Sequence, residues 1–326
     1  MSQQDIGIVV IGRNEGVRLR QCLESIVCHC QFVVYVDSGS TDDSITVALG
    51  LGVEVVSLDI LNGFSAARAR NAGASLLLAR PGVRYLQFVD GDCEVARGWL
   101  EVARRFLDSN AGIAAVCGRR RERHPNQSIY NLMCDLEWAT PIGIARYFGG
   151  DVMIRSDYFL RVGGYREDLI AGEDPEIGVR LRKIGGVLWR LDEEMTLHDA
   201  AITRLGQWWY RALRGGYAFA QGAAIHGAAP ERHWVRECFR AWVWGLFFPL
   251  AAGISLILGQ PYITFAIIAI YPLQWFRLIF LGQGSFGLRI SIATFLLLGK
   301  FAEACGQVMF IWHHIIKRRV RLIEYK

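Results

Sequence analysis

Short apolar runs alternate with stretches of helical period over the first two-thirds of the chain. The runs Ile6–Ile11, Phe32–Val36, Val53–Ser57, Tyr85–Val89 and Ile113–Val116 are bounded by Gly, Asp, Asn or Ser. Between them, Val17–Val27, Asp42–Leu49, Ser65–Ala79 and Ala96–Leu107 space their apolar residues as one helix face. Runs this short between turn residues predict strands, and their alternation with helices predicts βαβ units. The expected fold is α/β, a mostly parallel twisted sheet with helices on both faces. Such sheets bind ligands beyond the carboxyl ends of their strands, so functional residues are expected just after the apolar runs.

The pattern changes near residue 230. Ala241–Leu258 and Tyr262–Phe276 carry no charge, and Gly259-Gln260-Pro261 separates them. A hydrocarbon core about 30 Å thick needs roughly 20 apolar residues, so 241–258 and 262–281 are expected to form a membrane hairpin. Trp234, Phe239, Trp242 and Trp244 crowd its entry as an interfacial belt. The segment 289–316 is interrupted by Lys300 and Glu303, and Lys317, Arg318, Arg319 and Arg321 follow it. Basic residues beside a membrane segment prefer the cytoplasm, and two spans return the chain to the side it left. The segment therefore reads as a helix lying in the interface, with a third span as the alternative. These patterns divide the chain into an α/β domain over 1–230, with interfacial helices over 205–230, and a membrane region over 231–326.

Composition narrows the partners. A length of 326 residues suits two units. A hydrophobic content of 52% excludes a disordered chain, and 21% charged residues exclude a membrane bundle along the whole length. The net charge of +5 fits a membrane surface or a phosphorylated ligand and does not argue for nucleic acid. The eight cysteines contain no CxxC pair, and Cys28-His29-Cys30 has no second ligand pair at zinc-site spacing. Free thiols in a reducing compartment are expected. Ile6–Ile11 opens directly into Gly-Arg-Asn-Glu, which reads as a first buried strand and not a signal peptide.

Four clusters follow strands. Asn14 and Glu15 stand where the first strand gives way to a helix, and Asp37 heads Asp37-Ser-Gly-Ser-Thr-Asp after the second. A carboxylate at that strand end can accept from a base edge or a ribose, whereas Asp42 and Asp43 are explained by the helix dipole. Asp90-Gly91-Asp92 ends the Tyr85–Val89 run. Carboxylates so placed can face one hard cation, Mg²⁺ or Mn²⁺, with a diphosphate as co-ligand; Asp-Gly is equally a turn signal. The fourth cluster runs from Gly149-Gly150-Asp151 to Gly172-Glu173-Asp174-Pro175. Pro175 suits the first helical position, which makes Asp174 the expected N-cap; the same carboxylate can serve as a general base.

In this order and spacing, the clusters resemble the family 2 glycosyltransferases, inverting enzymes of the GT-A fold, over roughly residues 5–230. The Asn14–Glu15 match is good, although the Pro that usually precedes this pair is replaced here by Ile11-Gly12-Arg13. The resemblance implies donor contacts by Asn14, Glu15, Asp37, Arg70, Asn71 and Asp90. It implies a metal held by Asp92 and Asp90 with His198, and Asp174 as the base. Gly149, Gly150 and Glu173 fall to the acceptor or diphosphate side. Processive relatives carry Gln-X-X-Arg-Trp; here Gln207-Trp208-Trp209-Tyr210-Arg211 and Arg214 hold the residues in another order. That implies addition of a single sugar, with Trp208, Arg211 and Arg214 toward the diphosphate. Arg211 and Arg214 share one helical face, which equally suits snorkelling on a membrane surface.

The expected activity is therefore non-processive, metal-dependent transfer from a nucleotide-diphosphate sugar to a polyprenyl-linked acceptor in envelope or exopolysaccharide synthesis. The catalytic domain would be cytosolic, on membrane lipid of the inner membrane. The alternatives are a polyprenyl-phosphate glycosyl synthase and a non-catalytic membrane scaffold. Sugar, linkage and oligomeric state are not encoded in these motifs.

Overall fold

A computed structural model describes residues 3–59 and 65–316; the basic tail at 317–321 lies outside the described residues. The chain divides into two units, Met1–Ala201 and Ile202–Lys326.

The first unit carries one mixed sheet. Its strands are β1 (Gln3–Gly12), β2 (Cys30–Asp37), β3 (Glu54–Ser57), β4 (Tyr85–Asp90), β5 (Cys93–Val95), β6 (Ile113–Glu122), β7 (Gly143–Ala145), β8 (Val152–Arg155) and β9 (Val187–His198). The helices are α1 (Val17–Val27), α2 (Ser44–Gly50), α3 (Ala66–Leu78), α4 (Trp99–Ser109), α5 (Ile129–Trp138), α6 (Ser156–Arg161) and α7 (Glu173–Lys183). The strand order is β3-β2-β1-β4-β8-β6-β9-β5, with β7 beside β9. The pairs β1–β2, β1–β4, β2–β3 and β6–β9 are parallel, whereas β8, β5 and β7 run antiparallel to their neighbours. Ile6, Ile8, Val9, Val10 and Ile11 are all buried, as expected of a parallel strand covered on both faces. On one face α3 approaches β1 so closely that a β-carbon at Gly73 would lie 2.5 Å from Val9.

Register sets the site. Gly12 pairs with Asp37 and Ile11 with Asp90, so β1, β2 and β4 end together. Phe88 pairs with Val152, which brings the preceding Gly150-Asp151 beside the end of β4. Cys93 pairs with His198, which fixes the far end of β9 against the same turn.

The second unit is helical. Its elements are α8 (Leu205–His226), α9 (Val235–Trp242), a π-helical turn (Val243–Phe247), α10 (Phe248–Ile257), α11 (Pro261–Leu281) and α12 (Phe286–Ile315). The sequence reading had grouped α8 with the α/β domain; here it packs along α12, where a β-carbon at Gly216 would strike the Glu303 backbone. Gly306 meets the Leu213 carbonyl and Gly245 the Lys300 carbonyl in the same way. Small residues that let helix backbones touch are the usual packing device between apolar helices.

Three helices, Val235–Ile257, Pro261–Leu281 and Phe286–Ile315, are long and apolar enough to cross a membrane. The third contains the two charges that had argued for an interfacial helix. They pair with each other, Lys300 Nζ lying 2.6 Å from Glu303 Oε2 one turn on. Pairing lowers the cost of both charges in an apolar helix, so α12 qualifies by length and composition.

Gly306→Val should lower the melting temperature of the detergent-solubilised protein by several degrees, since overpacking costs about 1–3 kcal/mol or more. Gly287→Ala, where a β-carbon meets nothing within 4 Å, should leave it within a degree or so, as expected for a substitution away from packing.

Candidate active site

Asp90, Asp92, Gly150, Asp151, Glu173, Asp174 and His198 converge where β4, β8 and β9 meet the start of α7. Arg70, on α3, is their centre, with a side chain only 2% exposed. Its Nη2 donates to Asp90 Oδ1 at 2.8 Å and its Nη1 to Glu173 Oε1 at 2.6 Å. Asp174 Oδ1 lies 3.2 Å from the same Nη1. Among the described residues no group donates a hydrogen bond to that oxygen. Burial opposes the Arg70 charge, but Asp174, Asp90 and Glu173 outweigh it and hold the guanidinium firmly protonated. Burial likewise raises Asp90, yet Arg70 and Arg120 together bring it below the usual carboxylate range. At Asp174 burial wins over the pull of Arg70, and the carboxyl is pushed well above its ordinary value.

A second guanidinium, Arg120 on β6, lies 3.3 Å from Asp90 Oδ2 and 3.5 Å from Asp151 Oδ2. It stacks over the Trp138 ring at 4.9 Å, and Trp138 meets His198 edge to face. Asp151 is a clamp: its Oδ1 accepts the Asp90 amide at 3.1 Å and its Oδ2 the Thr196 hydroxyl at 2.7 Å. His198 Nε2 lies 3.4 Å from Asp92 Oδ2, and Glu122 Oε2 stands 3.6 Å behind its Nδ1. Asp90, Asp92, Asp151, Glu173 and Asp174 thus outnumber Arg70 and Arg120. The excess negative charge, with a carboxylate and an imidazole side by side, fits a divalent cation.

Residues 7–159 match the family described as "Glycosyl transferase family 2". That match covers most of the first unit, which is therefore similar to the family 2 glycosyltransferases. The chain is similar to the pre-mycofactocin glycosyltransferases of two Mycobacterium tuberculosis strains, CDC 1551 and H37Rv. Each is 27% identical over 233 residues, 67% of this chain and 47% of the relative. The chain therefore spans about half the length of the curated relatives it matches. Among solved structures, the mannosyltransferase PcManGT of Pyrobaculum calidifontis, in complex with GDP-Man and Mn²⁺, superposes with a TM-score of 0.60. It is 17% identical and covers 96% of this chain and 88% of its own. Residues 1–349 of S. aureus TarS superpose with a TM-score of 0.52 at 12% identity, covering 98% and 92%. These likenesses are of fold.

Other residues that the motifs singled out have local partners. Asp37 is buried and accepts from the Tyr35 hydroxyl at 3.0 Å and from the Gly39 and Ser40 amides at 2.9 Å. Asn14, in the left-handed region at φ 57, accepts the Thr41 amide at 2.7 Å, and Glu15 pairs with Arg18 at 2.7 Å. Asn71 donates to the Tyr165 carbonyl and accepts from its amide, both at 2.8 Å, holding the Gly163-Gly164-Tyr165 turn. Trp208, Arg211 and Arg214 lie on α8 in the second unit, where Trp208 is buried against Phe295. Cys28 is exposed, whereas Cys30 is buried and donates to the Ile6 carbonyl.

The capping expectation for Asp174 is corrected. Gly172, left-handed at φ 83, is the N-cap, so α7 begins two residues earlier than Pro175 suggested. Asp174 instead sits in the first turn, where Glu173, Asp174 and Glu176 complement the dipole. Arg120, Trp138, Asp151 and Glu122 were not assigned roles from sequence. The run Arg119-Arg120-Arg121 looks like a solvated charge cluster, but β6 continues through it. Strand alternation turns Arg120 inward at 13% exposure, while its neighbours stay above 40%.

A β-carbon at Gly150 would fall on the Asp90 carboxylate and Arg70 Nη2, whereas at Gly149 the nearest atom is Arg120 Nη1 at 3.6 Å. Gly150→Ala should therefore lower the transfer rate about 10²-fold, the scale of a 1 Å misplacement. Gly149→Ala should stay within a few-fold of wild type when both are assayed on folded protein.

Proposed function

We propose that the protein transfers one sugar from a nucleotide-diphosphate donor to a lipid-linked acceptor, with inversion and with a divalent cation. The observation that carries this reading is the shared Arg70, which joins the Asp90–Asp92–His198 arm to Glu173–Asp174 in one buried cluster. Asp92 and His198, with Asp90, would hold Mg²⁺ or Mn²⁺; PcManGT, of similar fold, is in complex with both GDP-Man and Mn²⁺. When bound, the cation neutralises charge on the departing nucleoside diphosphate.

Asp174 Oδ1, without a hydrogen-bond donor among the described residues, is free to accept from an acceptor hydroxyl. As that oxygen attacks the anomeric carbon, the proton passes to Asp174 and the bond to the diphosphate oxygen breaks. A carboxyl raised by burial is the stronger base for this step. Glu173 and Asp174 share Arg70 Nη1, at 2.6 and 3.2 Å, which leaves Asp174 the less firmly held. Asn14, Glu15, Asp37 and Asn71 border the donor side, and Gly149 and Gly150 give the backbone room beside Asp90.

The acceptor is read as polyprenyl-linked because the second unit is built of membrane-length apolar helices. The catalytic domain then faces the cytosol, where nucleotide sugars are soluble, in an envelope or exopolysaccharide pathway. Trp208, Arg211 and Arg214 are assigned to the diphosphate of that acceptor. A second reading keeps the chemistry and changes the acceptor, because the curated relatives are named for pre-mycofactocin. Partition of radiolabelled product decides: label in the butanol-extractable lipid fraction supports the first reading, and label in a water-soluble product the second.

Asp174→Asn should lower kcat by about 10²–10⁴-fold while donor affinity and melting temperature hold. The kcat/KM profile of wild type should fall on its acid side at a pH above the usual carboxylate range, since the base must be ionised and its value is raised. Turnover within a few-fold of wild type would remove Asp174 as the base and favour a phosphate acceptor. Asp92→Ala should abolish transfer and divalent-dependent donor binding; calorimetry showing unchanged affinity in this variant and after chelation would reject the metal assignment.

A further inference from the structure

Cys93 follows Asp92 directly and starts β5, where it pairs across the ladder with His198. Paired residues project on the same face, so thiol and imidazole meet on rigid elements. The Cys93 side chain is buried, its Sγ lying 3.7 Å from Asp92 Oδ1, while His198 Nε2 lies 3.4 Å from Asp92 Oδ2. One donor atom from each of the three residues falls within 4.8 Å of the other two. Tetrahedral zinc bonds of about 2.0–2.3 Å place neighbouring ligands about 3.3–3.8 Å apart. An octahedral hard cation at about 2.1 Å would bring adjacent ligands to about 3.0 Å. Thiol and imidazole approach different oxygens of Asp92, at 3.7 and 3.4 Å, both within the tetrahedral range. Glu122 Oε2 stands 3.6 Å from Nδ1 as an electrostatic neighbour and not as a hydrogen-bond partner.

We propose that Asp92, Cys93 and His198 form a binding site for a thiophilic divalent cation of the Zn²⁺ or Cd²⁺ class. Such an ion occupies the ligands that the hard cation needs and so inhibits transfer. Coordination forms a sulfur–metal bond and releases the thiol proton to solvent. The binding site stands on the donor set alone; the inhibition rests on the transferase reading.

The test uses full-length protein in detergent, without donor, in a Cys28→Ser/Cys305→Ser background that removes the exposed thiols. Cd²⁺ titration should give a saturable thiolate-to-metal charge-transfer absorption at one equivalent. Cys93→Ser and Cys93→Ala should both lose that band. Their Zn²⁺ affinity, read by chelator competition, should fall by more than the roughly 10–100-fold typical of losing a supporting partner. Mn²⁺ binding, read by paramagnetic resonance, should stay within a few-fold in the folded variants, and Zn²⁺ should displace Mn²⁺ only while Cys93 is present. No band in the parent protein, or a band and Zn²⁺ affinity that survive both substitutions, would overturn the site. Cadmium held by Cys93 in a protein that binds no Mn²⁺ and transfers no sugar would support the site and reject the transferase reading.

Discussion

A single buried guanidinium organises the catalytic unit. Arg70 leaves α3 and meets Asp90 from the end of β4 and Glu173 and Asp174 from the first turn of α7. Burying an unpaired charge costs several kcal/mol, so Arg70 is stable there only because carboxylates from separate segments close around it. The converse also holds: those carboxylates could not crowd together without Arg70. The Tyr165 ring, 5.4 Å from the guanidinium, adds an aromatic wall, and Asn71 on the next residue of α3 fixes the turn that carries Tyr165.

The charge balance around that contact is incomplete in a useful way. Arg70 and Arg120 neutralise part of the carboxylate cluster, and the remainder faces His198 and the Asp92 side of the turn. Low local dielectric strengthens every term of this kind: two cations hold Asp90 ionised against its burial, whereas at Asp174 burial prevails and the carboxyl is raised. Two carboxyls around one guanidinium are thereby given different proton affinities by their neighbours.

The helical unit follows another rule. Its helices touch through Gly216, Gly245 and Gly306, where backbone meets backbone, and much of its apolar surface, including Ile257, Tyr262 and Phe280, faces outward. An outward apolar surface of this extent is costly in water and natural in lipid. The ion pair Lys300–Glu303 lies within the long helix α12 and makes its charges compatible with that surface.

Much of this was legible in the sequence. The early strands and helices follow from hydrophobic period and turn residues, and the placing of Asp37 and Asp90 at strand ends, with Asp92 in the turn beyond, follows from where the apolar runs stop. The apolar character of the C-terminal third is a matter of composition alone. What only the tertiary structure decided is partnership. Sequence spacing cannot say that Arg70 lies against Asp90 and Glu173, because contacts across twenty and a hundred residues are set by sheet register and helix docking. Nor could it separate Arg120 from the arginines beside it, since β6 had to extend past Val116 before alternation could turn one of the three inward. The start of α7 was misplaced because proline is a local preference, whereas Gly172 takes the left-handed turn that the surrounding chain demands.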